Sequence, residues 1–332
     1  MIQKIGIIGG GSWGTAISSV LTTNAKNVQI WDRNKELVND INNLHINTKY
    51  FADFILDNKI TATSDIFKVI QDADILVLAV PSTIIKEILE QIKDKINQKT
   101  IIVNLAKGFD FKSGKTLSYL IEETLKPNFK DQIATLVGPS FASEVMERQF
   151  TTVCVTSTNL ACAKKVQQTF STDYFRVYTN EDVVGTECCA ALKNVIAIAC
   201  GIVEGVGLKN NSRAGVITRG MNEIRRFVKF YGGKEATCLG LAGYGDLILT
   251  CTSNTSRNYS AGVAIGKYGY DAFLKNNKKT VEGLTACKIV HKIAETNKIY
   301  APIIDAVYNI ITFNSEPLDE IKRLMRNELK NE

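Results

Sequence analysis

The chain has 332 residues, a length that suits two domains, each large enough to bury its own core. Hydrophobic residues make up 45% and charged residues 22%, which excludes a disordered chain, and the net charge of +6 is mild and unclustered, suiting anionic substrates and giving no reason to expect nucleic acid or a membrane as partner. The eight cysteines contain no C-x-x-C pair, so neither a disulfide nor a zinc framework is expected and the thiols read as reduced.

The first apolar segment, Lys4–Ile8, reads as a strand, and Gly9-Gly10-Gly11-Ser12-Trp13-Gly14 follows it directly. A helical pattern over Thr15–Thr22 and a second strand at Val28–Trp31 come next, and Asp32 stands 18 residues after Gly14. Strand, G-x-G-x-x-G, helix and terminal acid together form the dinucleotide-binding signature, whereas the glycines alone would mark any tight turn. Gly9 allows the turn, Gly11 lets backbone approach a pyrophosphate, and Gly14 lets helix and strand pack closely. The start of the helix then supplies free N–H groups and a positive dipole end.

Further strands are expected at Ile75–Val80, Ile101–Leu105, Ile133–Val137, Thr152–Val155 and Phe175–Tyr178, with helices between most of them, such as Thr83–Ile92 and Leu160–Phe170. That alternation is the βαβ pattern of a parallel sheet. Pro81, Lys107 and Gly138 follow three of these strands, at the carboxyl edge where open α/β sheets bind ligands. Gly114-Lys115-Thr116 imitates the end of a phosphate-binding P-loop, but Gly108 lies one residue too far upstream, so a polar helix start is the better reading.

The alternation stops after Asn180. Residues 1–182 read as a doubly wound, Rossmann-like dinucleotide domain and 183–332 as an all-α domain, giving an α/β chain overall. A long helix is expected from Asp182, a second near Ala214–Phe230, a polar break at Thr250–Ser260, and a charged, solvated helix in the last dozen residues. The best apolar run, Val195–Val203, is half what a bilayer needs, and the early Gly9 leaves no room for a signal peptide. The cytoplasm is the expected location.

From Cys188 to Val203 every residue is apolar or glycine except Lys193 and Asn194. A helix apolar on all sides is normally buried, and burying an ammonium is costly unless it is paired or gives up its proton. Lys193 is therefore a candidate acid or base, against the plainer reading of a snorkelling side chain at a helix edge. Gly240-Leu241-Ala242-Gly243-Tyr244-Gly245-Asp246 suggests backbone packed close to a ligand with Asp246 projecting from a turn, although a turn aspartate also caps helices. Ser256-Arg257-Asn258 offers the hydroxyl, guanidinium and amide that a phosphate site needs, and equally describes a polar loop. His45 and His291 are the only histidines and neither has such a setting, which shifts the role of proton donor toward lysine.

Together these segments resemble the bacterial-type NAD(P)-dependent glycerol-3-phosphate dehydrogenases nearly end to end. The marks are Gly9–Gly14, Ala79-Val80-Pro81-Ser82, Ala106-Lys107-Gly108, Gly138-Pro139-Ser140-Phe141-Ala142, Ala191-Leu192-Lys193-Asn194, Ile217-Thr218-Arg219-Gly220, Gly240–Asp246 and Ser256–Asn258. The resemblance implies a Rossmann domain and a helical domain with the active site between them. It implies hydride transfer between the nicotinamide and C2 of dihydroxyacetone phosphate, supplying glycerol 3-phosphate for phospholipid synthesis. Lys193 would donate and accept the proton, assisted by Lys107, Asp246 and Asn194, and no metal would be needed. Gly138, Ser140, Ser256, Arg257 and Asn258 would contact the substrate, chiefly its phosphate, along with Lys107, Lys193 and Asp246. Ser12, Trp13, Arg33, Ala142 and Glu282 would line the cofactor, with Tyr50, Lys107 and Arg257 touching it too. A homodimer is expected.

Cofactor choice is split between neighbours. Asp32 can accept hydrogen bonds from the ribose of NAD and would repel the phosphate of NADP, while Arg33 would accommodate it. Both cofactors are expected to work, with a lean toward NAD. Two rivals remain at this stage. One is a β-hydroxyacid or ketopantoate reductase of the same architecture, not expected to carry Gly240–Asp246 and Ser256–Asn258 as written. The other is a catalytically silent NAD-binding sensor, which would need no buried lysine.

Overall fold

The computed structural model describes residues 2–110, 113–125, 127–277 and 280–326. The chain divides into two compact units, Met1–Asp110 with Lys115–Val183, and Val184–Glu332 with the short segment Phe111–Gly114.

The first unit is built from β1 (Ile2–Ile8), α1 (Ser12–Leu21), β2 (Ala25–Trp31), α2 (Lys35–Leu44), β3 (Ile60–Thr63), α3 (Ile66–Ile70) and β4 (Ile75–Leu78). It continues with α4 (Ile85–Ile92), β5 (Ile101–Asn104), α5 (Leu117–Leu125), β6 (Ile133–Val137), α6 (Ala142–Met146), β7 (Thr151–Thr156), α7 (Leu160–Phe170) and β8 (Phe175–Asn180). The strands form one sheet in the order β3-β2-β1-β4-β5-β6-β7-β8. Successive strand residues face opposite ways, and here both faces are covered. Ile75 and Val77 pack with Ile17, Val20 and Phe170 on one side, while Leu76 and Leu78 pack with Ile85, Leu89 and Leu120 on the other. That is a doubly wound sheet.

Two features depart from the expected pattern. The strand β3 gave no clear signal because Ile-Thr-Ala-Thr is short, mixed in polarity and sits at the sheet edge. The strand β7 runs antiparallel to β6, although β7 and β8 are parallel. The link from Val137 to Thr151 carries only the five-residue α6, too little helix for a full crossover, so the chain turns back along the sheet instead. Gly114-Lys115-Thr116 leads into α5 after Phe109 bridges Thr116, so no phosphate loop forms there.

The second unit is helical: α8 (Val183–Gly205), α9 (Asn210–Phe230), α10 (Asp246–Thr252), α11 (Arg257–Tyr268), α12 (Tyr270–Asn276), α13 (Glu282–Asn297), α14 (Pro302–Phe313) and α15 (Pro317–Met325). The expected polar break at Thr250–Ser260 shrinks to Ser253–Ser256, because α10 runs through Thr252 and Ser256 caps α11. The last dozen residues are described only as far as Arg326, and there α15 ends at Met325.

Among the described residues α8 is the one helix long and apolar enough to cross a membrane, longer than the run of apolar residues suggested, and 89% of its most apolar window is buried inside the fold. It crosses α11 at glycines on both sides. A Cβ on Gly201 would stand 2.1 Å from the Tyr259 carbonyl oxygen, and one on Gly262 would stand 2.2 Å from that of Ile198. Only hydrogen in place of a side chain permits this approach. It brings the start of α11, with Arg257 and Asn258, beside the helix that carries Lys193.

Candidate active-site residues

In the first unit the glycine loop links β1 to α1. Gly9 has φ +113°, which side chains rarely tolerate, and its N–H donates to the Trp31 carbonyl at 2.9 Å. A Cβ on Gly14 would stand 2.0 Å from the Gly9 carbonyl oxygen, so helix and loop are in direct contact. Gly11 differs: nothing lies within 4 Å of where its Cβ would be. The first helical amide to bond back is Thr15 N–H, to the Gly11 carbonyl at 2.9 Å. The amides before it are those a helix start leaves unsatisfied. An open space beside Gly11 and free N–H groups at the positive end of a ten-residue helix fit the pyrophosphate of a dinucleotide.

Around this loop, Ser12 is exposed and Trp13 half-buried against the core. Asp32 is half-buried, and both of its oxygens are engaged by backbone: Oδ2 accepts from Gly10 N–H and Oδ1 from Asn34 N–H, each at 2.9 Å. The acid that was expected to face a ribose thus also braces the loop. Arg33 is exposed, and so is Tyr50, whose ring lies under the Lys49 ammonium at 5.4 Å. At the carboxyl edge of the sheet, half-buried Lys107 follows β5, and Gly138 follows β6 with φ +147°. The Ser140 hydroxyl donates to the Gly138 carbonyl at 3.1 Å, and Ala142 opens α6.

In the second unit Lys193 is 5% exposed, as its apolar helix required, but it is not alone. Its Nζ donates to Asp246 Oδ1 at 2.8 Å and to the Thr250 hydroxyl at 2.5 Å. Asp246 is 1% exposed and begins α10 after one wide helical turn, closed by Gly245 N–H on the Gly240 carbonyl. Thr250 lies one turn further along, so both side chains share a face of α10. The Thr250 hydroxyl also donates to the Asp246 carbonyl at 2.6 Å. A buried ammonium is tolerated here because a carboxylate and a hydroxyl receive it.

Nearby, α13 begins against α8 and α11. Gly283 N–H donates to Asn258 Oδ1 at 2.9 Å, and a Cβ on Gly283 would meet the Asn194 carbonyl oxygen at 2.7 Å. Ser256 is buried, its hydroxyl accepting from Tyr259 N–H at 3.3 Å as the cap of α11. Arg257 is exposed and stands 3.7 Å from Glu282 Oε1. Lys193, Asn194, Asp246, Asn258 and Gly283 therefore form one neighbourhood, with Arg257 and Glu282 at its rim.

Two models of the family described as NAD-dependent glycerol-3-phosphate dehydrogenase match the chain, the N-terminal one over residues 4–163 and the C-terminal one over 182–322. The chain belongs to this family. A glycerol-3-phosphate dehydrogenase [NAD(P)+] of Clostridium botulinum is 43% identical over 333 residues, covering 100% of this chain and 99% of the relative. One of Staphylococcus aureus is 40% identical, with both chains covered completely. The crystal structure of a glycerol-3-phosphate dehydrogenase from Coxiella burnetii superposes with a TM-score of 0.91 at 32% identity, covering 98% of this chain and 99% of that one.

Two residues escaped the sequence reading. Thr250 lay inside the polar stretch without a role, although its place four residues after Asp246 was a usable signal. Asn47, wholly buried beside the glycine loop, offered none.

Proposed function

We propose that the protein interconverts dihydroxyacetone phosphate and sn-glycerol 3-phosphate, with NAD(H) or NADP(H) as the redox partner. Membership of the whole chain in one dehydrogenase family carries this reading, and the buried Lys193–Asp246 pair supplies its acid–base chemistry. When bound, the nicotinamide gives or takes the hydride at C2. Lys193 gives its proton to the C2 oxygen as that oxygen becomes a hydroxyl, and takes it back in the oxidation direction. Asp246 and Thr250 aim the ammonium, and Asn194, next along α8, helps to orient it. Lys107 polarises the carbonyl. Arg257, Asn258, Ser256, Ser140 and Gly138 hold the phosphate, where a guanidinium offers two parallel donors.

Gly9–Gly14 with Ser12 and Trp13 would hold the cofactor's pyrophosphate region, and Asp32, Arg33, Tyr50, Lys107, Ala142, Arg257 and Glu282 would complete its contacts. Residues 1–182 would supply most of the dinucleotide contacts and 183–332 the acid–base lysine. A cytoplasmic homodimer feeding phospholipid synthesis is the setting this activity suits.

Absorbance of NADH and NADPH, followed with purified protein and dihydroxyacetone phosphate beside ketopantoate, tests the reading, together with NAD+ and 3-hydroxyisobutyrate. Turnover is expected with dihydroxyacetone phosphate alone. Turnover confined to one of the other compounds would replace the substrate, and cofactor binding without any turnover would favour a sensor.

A further inference from the structure

Asn47 stands outside every motif, yet its side chain reaches the glycine loop. Its Nδ2 donates to the Gly10 carbonyl at 3.0 Å and to the Thr15 hydroxyl at 2.8 Å. On the other side of the same residue, Gly10 N–H donates to Asp32 Oδ2 at 2.9 Å. Gly10 is thus gripped at both ends, its N–H turned to the end of β2 and its C=O turned to Asn47. A glycine has wide freedom to rotate, and a peptide flipped here would present a carbonyl oxygen to the start of α1. That oxygen would oppose the partial positive charge that a pyrophosphate needs.

Asn47 achieves this at a cost. Its own Oδ1 is buried with no hydrogen-bond partner, which destabilises the folded chain. We propose that Asn47 is a positioning residue of the dinucleotide site, holding the Gly10 carbonyl away from the phosphates so that the N–H groups at the start of α1 face them. This rests on the NAD(P) reading above. It also explains why the loop needs two braces: Asp32 fixes the N–H and Asn47 the C=O, and neither can do the other's part. Thr15 takes the second Nδ2 proton and so sets the amide's rotation.

The test uses the full-length protein with Asn47→Leu, close in size and lacking both donors, and Thr15→Val, which keeps the Asn47 bond to Gly10 and removes only the longer one, from the Thr15 hydroxyl to the same carbonyl at 3.4 Å. NADH binding is titrated by nucleotide fluorescence without substrate, and the melting temperature is read without cofactor. Asn47→Leu is expected to bind NADH about tenfold more weakly, the scale of one buried hydrogen bond. Its melting temperature should fall by only a few degrees, the cost of the two lost bonds, and kcat at saturating NADH should stay within about twofold of wild type. Thr15→Val should lose less affinity than Asn47→Leu. Equal NADH affinity in wild type and Asn47→Leu would overturn the proposal, as would a variant that loses melting temperature and kcat in step with affinity. A wild-type protein that binds neither NADH nor NADPH would instead bring down the dinucleotide reading itself, and this proposal with it.

Discussion

In the proposed function Lys193 is held between two demands, since an acid–base group must part with its proton while a buried charge must keep its partner. With Asp246 at 2.8 Å, deleting the lysine leaves a carboxylate that is 1% exposed without its cation. Lys193→Ala is therefore expected to lose turnover by roughly a hundredfold to ten-thousandfold and also to destabilise the fold by about 3–5 kcal/mol. Lys193→Arg separates the two effects: it keeps an ion pair and much of the melting temperature, yet should remain inactive because guanidinium does not release its proton. An active Arg variant, or an Ala variant with more than about a third of wild-type turnover, would remove Lys193 from the acid–base role. Asp32 braces the loop through Gly10 and Asn34, and in the proposed function it also opposes a ribose phosphate. Asp32→Ala should weaken both cofactors while shifting the ratio of kcat/KM toward NADPH. Comparing the two cofactors in one assay decides it: equal losses would leave Asp32 as a brace only.

At the scale of elements, the start of α14 is secured by a side chain from α9. Glu223, 1% exposed, accepts Ile303 N–H at 2.7 Å and Ile304 N–H at 3.1 Å, satisfying two of the free amides that open a helix. Burial outweighs these bonds and pushes the carboxyl up from 4.5 to about 8. A folded-state value above the unfolded one means that the folded chain holds this proton more tightly. The associated stability is complete below pH 4.5 and fades as pH rises through about 8. Glu223→Gln, which cannot titrate and must turn an NH2 toward one helix amide, should melt lower than wild type at pH 5, and the gap should narrow by pH 9. Thermal melts across that range check it, and a gap that widens with pH would mean the ionised form is the one the fold prefers. Elements with a strong pattern were legible in the sequence: β4, β5 and β6 are short runs of buried apolar residues, and the uninterrupted apolar face of α8 gave away both the helix and its lysine. What escaped was set by pairing across distance. The reversal of β7 depends on how little helix lies before it, and Asn47 meets Thr15 only through a loop closing over 32 residues, for which periodicity has no sign.

For the molecule as a whole, the two units are not consecutive lengths of chain. The segment Phe111–Gly114 is counted with the second unit although the chain on both sides belongs to the first. The Tyr231 hydroxyl, at the end of α9, donates to the Gly114 carbonyl at 2.6 Å, and a Cβ on Gly114 would meet Ile293 Cδ1 at 3.3 Å. No composition or motif announced this, because it depends on which core a few residues join. Its consequence appears in the order of synthesis. The first unit has all eight strands of its sheet once residue 183 has been made, and can close early. Gly114 must then wait for Tyr231, made 117 residues later, and for Ile293 after that. Contacts within a helix are local and form fast, but this one closes a long loop. The second unit thus finishes last, on a segment supplied by a neighbour that is already folded.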